Sequence, residues 1–517
     1  MKRNSLILEL LALVPLTSCF YPASNSIGTS SNHNDYSSQE YISSTAIDSS
    51  QESSNSFSSS SSQISQTVIA AVLKTSGDES EKLTKGYVSA TTERPASVDI
   101  ATTDSEIGPV RFFGAALTHS SAYVLMNLNE ARRTEILKKL FTSTGANLNV
   151  IRIPIGASDF IPGDSFFSCA DKEGPDSDPL ANFNIDNDDQ IIEVAKEMET
   201  LKPDLKIIAT AWSAPAWMKT SDTLLGGSLK SGYEEVYAKY IDDFVSAYAK
   251  EGITVDFVTP GNEPQNSTSN YPSMTLSSQQ EAAIARDLSS LLPEDTKTLA
   301  YDHNCDNAIS YVEGIEEEDG LSLFSGIAIH GYSGGINDTI PSLVSKFGKE
   351  VYLTELTEYE YEGQSFSGDL LWSAENATVY PYSLGLSGTL YWNLALYPDG
   401  TPNKGQVSIC YGVVTVDDKD DQDSSYTFNP AYYSMAQVAN MLDISDKNGV
   451  MSLETTTSLS GIKAASFLSD DGTYEVVVIN DGAEKDDVSI GIGSYYLKYD
   501  LAPDSITSLA LKEGGDG

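Results

Sequence analysis

Eight times between residues 110 and 442, a short run rich in β-branched and other apolar residues is followed by a segment of helical period. A strand joined to the next through a helix has that neighbour parallel to it, with a right-handed crossover. Eight such units in succession close on themselves rather than spread into an open sheet, so the sequence predicts an α/β fold built on a (β/α)8 TIM barrel. The strand and helix pairs read 110–117 with 130–144, 148–155 with 188–201, 206–211 with 233–251, and 257–260 with 277–292. They continue as 298–301 with 308–317, 326–330 with 340–347, 351–354 with 370–386, and 388–392 with 431–442.

Past residue 442 the helical period gives way to short alternating strands at 462–468, 474–479, 488–492, 495–500 and 508–511, separated by turns such as Asp470-Asp471-Gly472. Such strands need a second β layer. The β-like residues ahead of the barrel, 67–73 and 84–104, can supply it, giving a discontinuous β-sandwich side domain. The predicted organisation is 67–105 as the N-terminal strands of the sandwich, 106–443 as the barrel and 444–517 as the rest of the sandwich.

The start of the chain has another character. Lys2 and Arg3 precede an apolar run, 6–16, too short to span a bilayer, and Leu16-Thr17-Ser18-Cys19 resembles the lipobox of bacterial lipoproteins. Residues 1–19 are therefore read as a lipoprotein-type signal with Cys19 the lipidated residue, the alternative being a plain cleaved signal and a secreted protein. Residues 20–66 are Ser-rich, with Ser58 to Ser62 unbroken, and read as a flexible linker. The expected location is extracytoplasmic, on a lipid anchor to the membrane.

Composition narrows the partners. Thirty-one Lys and Arg against 74 Asp and Glu give a net charge of −43, which repels nucleic acid and other polyanions and favours a neutral substrate. Four cysteines cannot make a disulfide framework in 517 residues, and with four histidines they leave little room for a metal cluster; no cofactor is expected.

Chemistry in such a barrel gathers where the strands end. Asn262-Glu263 follows the fourth strand and Glu355 follows the seventh. Two carboxyl groups facing one another across a barrel mouth are what glycoside hydrolysis requires, one protonated to assist the leaving oxygen and one ionised to attack the anomeric carbon. Glu358, Glu360 and Glu362 are rivals to Glu355, which is preferred because it directly ends an apolar strand.

Further motifs accompany the pair: Phe113-Gly114-Ala115-Ala116-Leu117-Thr118, Arg152-Ile153-Pro154-Ile155-Gly156-Ala157-Ser158-Asp159-Phe160, Trp212-Ser213-Ala214-Pro215-Ala216-Trp217-Met218-Lys219, Thr259 to Pro264, His330-Gly331-Tyr332 and Tyr391-Trp392-Asn393-Leu394-Ala395-Leu396. In this order they resemble glycoside hydrolase family 30, retaining β-glycosidases that include glucosylceramidases and β-1,6-glucanases. The resemblance runs from about residue 68 to the C-terminus. It implies Glu355 as nucleophile and Glu263 as acid and then base. Asn262 would contact the sugar 2-hydroxyl, and Tyr332 would orient the nucleophile. Arg152 would steady Glu355 unless it is a structural ion-pair partner. Trp212 and Trp392 would offer aromatic faces to sugar, and His330 is read as a wall or ligand contact. Trp217 is expected to pack, and His303 to be a loop residue.

One departure bears on specificity. Members acting on glucosides usually carry Asp after the first-strand Thr, where this chain has His119, also read as substrate-binding. The expected activity is hydrolysis of β-glucosides, glucosylceramide-like or β-1,6-linked glucan. A xylosidase or xylanase, or a glycan-binding protein without catalysis, are the alternatives.

Overall fold

The computed structural model describes residues 67–404, 409–445 and 449–512, and the expected signal, Cys19 and the Ser-rich linker lie outside them. Eight parallel strands close the barrel: Phe112–Ala116, Val150–Ile155, Lys206–Ala211, Phe257–Thr259, Lys297–Asn304, Gly326–His330, Glu350–Glu355 and Leu386–Tyr391, the last pairing with both the seventh and the first. Most of their residues are buried on both faces, which is why they read as nearly continuous apolar runs.

Phe112, Val150, Ile208, Phe257, Leu299, Ala328, Tyr352 and Leu390, one from each strand, form a single cluster plugging the lower barrel. Phe112 packs against Phe257 and Tyr352 at ring separations of 5.3 and 5.1 Å. Side chains alternate along a strand with period two. Two residues further on, the inward face therefore carries Arg152, Thr210, Thr259, His330, Thr354 and Trp392, and the plug becomes the floor of a polar cavity.

Several helices depart from expectation. His119–Met126 is an additional helix, started by Thr118, whose side chain accepts from the Ser121 amide. The helix expected at 340–347 begins a turn earlier, at Ile336. The one expected over 370–386 is instead Phe366–Ser373, a π turn Ala374–Thr378 and a 3-10 turn Tyr380–Leu384. Pro381 cannot donate the amide hydrogen bond that one continuous helix would need there.

Outside the barrel, nine strands form one hydrogen-bonded circuit, so the layers of the side domain are joined at both edges. Thr67–Ser76, Thr84–Thr91 and Ile100–Val110 come from before the barrel and six strands between Val450 and Lys512 from after it. Val72, Ile100, Val476, Ile490 and Leu509 are among its buried core. Two corrections follow. The third strand, Ile100–Val110, crosses the boundary placed at residue 105, and Val450–Thr457 is a strand that its polar, Thr-rich sequence did not advertise. No helix among the described residues is long and apolar enough to cross a membrane.

Candidate active site

Arg152 stands at the centre of the barrel mouth and is wholly buried. Its guanidinium binds Glu355 Oε2, donates to Asn262 Oδ1 at 2.8 Å and Asp302 Oδ2 at 2.9 Å, and reaches Thr210 Oγ1 at 3.2 Å. It also lies over the Trp212 ring at 4.8 Å, and Trp212 stacks on Trp392 with centroids 5.1 Å apart. A planar fork of five donors is what lets one cation serve so many acceptors at once.

Glu355 ends the seventh strand. Its Oε1 accepts from the Tyr332 hydroxyl at 2.9 Å, and its Oε2 lies 3.9 Å from His330 Nε2. Burial, and after it the Glu355 charge, lifts the Tyr332 phenol well above its ordinary pKa, so it stays a proton donor to that carboxylate. Glu263 approaches from the other side: His330 Nδ1 is 3.1 Å from Glu263 Oε1, His303 Nδ1 is 3.6 Å from it, and Asn266 donates to Oε2 at 2.8 Å. One imidazole thus lies between the two carboxylates named from the sequence. Burial pushes Glu263 up, but the neighbouring His303 and His330 imidazoles outweigh it and hold the carboxyl well below its usual range. His330 answers in the opposite sense: burial pulls it down, yet Glu355, Asp302 and Glu263 lift it to about 9.

Beneath them lies Asp302, fully buried, which the sequence reading missed. It accepts from Arg152, from Thr259 at 2.7 Å and Thr354 at 2.6 Å, and is 3.1 Å from His330 Nε2. Alternation along the fifth strand would turn Tyr301 inward. A bulge between Tyr301 and His303, with positive φ at Tyr301 and Asp302, turns Asp302 inward instead. Left-handed backbone recurs at Glu263 (φ 48°) and Asn393 (φ 68°), so four non-glycine residues of this mouth hold a conformation costing about 1–3 kcal/mol each. The Glu263 amide is tied to the Asp302 carbonyl at 2.9 Å, and Thr118 donates to Asn393 Oδ1 at 2.7 Å.

Of the residues named from the sequence, Glu263, Glu355, Arg152, Asn262, His330, Tyr332, Trp212 and Trp392 converge here, and His303 joins them rather than standing apart in a loop. His119 is bound elsewhere: its Nε2 pairs with Asp188 Oδ1 at 2.9 Å, its ring meets the edge of Phe167, and its Nδ1 is buried without a hydrogen bond. Trp217 packs as expected, its indole donating to the Ala170 carbonyl at 2.8 Å. Glu360 and Glu362 are exposed. Glu358 is buried on a short strand, Glu358–Tyr359, that pairs with Cys410–Tyr411.

Burial, then the charge of Asp369, pushes Glu358 up to about 8. A carboxyl with a folded pKa above its unfolded value binds more protons in the native state, so it lowers stability as pH rises from about 4.5 to 8. Glu358→Gln is expected to flatten that slope and to raise Tm relative to wild type at pH 8 but not at pH 4.5. Melts across that range would exclude a buried, protonated Glu358 if the two proteins ran parallel.

Comparison with known proteins agrees with the barrel fold. Residues 110–442 match the Glycosyl hydrolase family 30 TIM-barrel domain. The endo-1,6-β-D-glucanase neg1 of Aspergillus fumigatus is 30% identical over 395 residues, 71% of this chain and 78% of its own. The lysosomal acid glucosylceramidase of Mus musculus is 25% identical over 405 residues, 72% of this chain and 75% of its own. The solved structure of the endo-β-1,6-glucanase BT3312 superposes with a TM-score of 0.76 at 27% identity, covering 86% of this chain and 99% of that one.

Proposed function

The chain belongs to glycosyl hydrolase family 30 and is a β-glycosidase, and from that premise we propose that it cleaves β-1,6-linked glucan by double displacement. The observation that carries this reading is the Glu263 and Glu355 pair on either side of the His330 imidazole, with Arg152 and Tyr332 fixing Glu355. In the first step Glu355 attacks the anomeric carbon while Glu263 protonates the departing oxygen. In the second Glu263 takes a proton from water, which releases the sugar from Glu355.

His330 Nδ1 lies 3.1 Å from Glu263 Oε1, close enough to share a proton with that carboxyl as it alternates between acid and base. Arg152 holds Asn262 Oδ1, which turns the Asn262 amide NH2 towards a sugar hydroxyl. The stacked pair Trp212 and Trp392 suits the apolar face of a pyranose. A neutral glucan also suits a chain of charge −43. The Aspergillus endo-1,6-β-D-glucanase is 30% identical and the mouse glucosylceramidase 25%, and this difference favours glucan over glycolipid.

The test is product analysis on β-1,6-glucan, glucosylceramide and xylan, with the anomer of the first product read by NMR. Shortened β-1,6-oligosaccharides of initially β configuration are expected. Initial α product, or turnover of xylan or glucosylceramide alone, would overturn the assignment. Glu263→Gln should lose about 10²–10⁴-fold on glycans, whose leaving groups need a proton, and far less on aryl glucosides with acidic phenols.

A further inference from the structure

The acid/base side of the site contains a set of donor atoms that proton transfer alone does not account for. His303 Nδ1 is buried without a hydrogen bond, 3.6 Å from Glu263 Oε1. His330 Nδ1 is 3.1 Å from that same oxygen, and one donor atom from each of the three residues lies within 4.8 Å of the others. We propose that Glu263, His303 and His330 bind a borderline-soft divalent cation, Zn²⁺ or Cu²⁺, and that its occupancy takes Glu263 out of the reaction.

The spacing fits the ion. A tetrahedral metal with bonds of about 2.0–2.1 Å has donors about 3.3–3.4 Å apart. The two measured edges, 3.1 and 3.6 Å, bracket that value. The two imidazoles stand nearly perpendicular, at 89° with centroids 6.4 Å apart, and the three donors lie within 4.8 Å of one another, so the two ring nitrogens draw together when the ion binds.

The surroundings fit as well. His330 presents its other nitrogen to Asp302 at 3.1 Å, the carboxylate–histidine arrangement that orients a metal-ligating imidazole and raises its basicity. Asp302 and Glu355 add two negative charges close by and Arg152 one positive, a balance that favours a dication over a neutral guest. Two imidazoles and one carboxylate oxygen suit Zn²⁺ or Cu²⁺, whereas Ca²⁺ and Mg²⁺ need a largely oxygen shell. Three protein ligands leave a fourth position for water. The His303 side chain is 14% exposed, which gives the ion a way in.

A metal on Glu263 Oε1 occupies the atom that would otherwise carry the proton to the leaving group, so hydrolysis should stop while the ion is bound. That consequence rests on the acid/base role proposed for Glu263, whereas the binding itself does not. Calorimetric titration of the chelator-treated full chain with ZnCl₂ separates the two. One tight Zn²⁺ per chain is expected above the weak background of an acidic surface, and excess Mg²⁺ should not displace it. Affinity should fall at least about tenfold in His303→Ala and likewise in Glu263→Gln, each checked by circular dichroism for an intact fold. β-Glucan hydrolysis should fall in step with occupancy and recover with EDTA. Wild-type affinity in both variants, no tight site at all, or full activity at saturating Zn²⁺ would overturn the proposal. If no glycan is turned over even without metal, the functional reading fails while the calorimetry still judges the site.

Discussion

Glu355→Gln is expected to lower kcat on β-glucosides by about 10⁴-fold or more, the scale on which removing a covalent nucleophile acts. The substitution keeps the shape of the side chain and removes only its capacity to form the glycosyl ester. Arg152 would still have Asp302 and Asn262 as partners, so the barrel should remain folded and the loss should be chemical. Stereochemistry then decides between the two carboxylates. In Glu355→Gly an added azide ion can enter the vacated space and attack from the nucleophile's face, giving the α-glycosyl azide. In Glu263→Ala azide attacks the intact glycosyl-enzyme from the opposite face and gives the β-azide. Exchange of these products would swap the two roles, and wild-type turnover in Glu355→Gln would remove the double-displacement scheme altogether.

How much of this site the sequence could yield depends on the regularity of the strand beneath each residue. Arg152, Trp212, His330 and Trp392 lie on the inward register that starts from Val150, Ile208, Ala328 and Leu390, so period-two reading finds them once the strands are recognised. Asp302 escaped because the fifth strand bulges, and the shift exchanges the inward place of Tyr301 for its neighbour's. The same rule that singled out Glu355, an acid at the end of an apolar strand, could have flagged Tyr301-Asp302-His303. Glu355 itself follows a register shift between Leu353 and Glu355, without which strict alternation would point it away from Thr354's side. The helix His119–Met126 went unread because eight residues show little more than two turns of any period. The pairing of His119 with Asp188, 69 positions along, is a tertiary fact that no local pattern encodes.

Arg152→Met should have the largest effect on folding. The guanidinium is fully buried and forms ion pairs with Asp302 and Glu355, so removing it leaves two carboxylates out of water with only His330 to offset them. Breaking a buried ion pair from one side costs about 3–5 kcal/mol, much of the 5–15 kcal/mol typical of a folded domain. Arg152→Lys keeps the charge but not the fork, and should fall between.

The cause of the loss can be separated by pH and by a second substitution. Despite its burial, Asp302 is held well below its ordinary pKa by Arg152, then by His330 and Thr354. A depressed carboxyl contributes stability that is present above its unfolded pKa, near 4, and disappears as pH falls through the folded value. The gap between wild type and Arg152→Met, measured by urea unfolding, should therefore be wide at pH 6 and shrink progressively as pH falls below about 4 towards the folded value. Arg152→Met/Asp302→Asn should recover part of the stability at pH 6 without recovering activity, because Glu355 still lacks its guanidinium. If the double variant is no more stable than the single one, the cost lies in lost packing against Trp212 and Trp392 rather than in stranded charge.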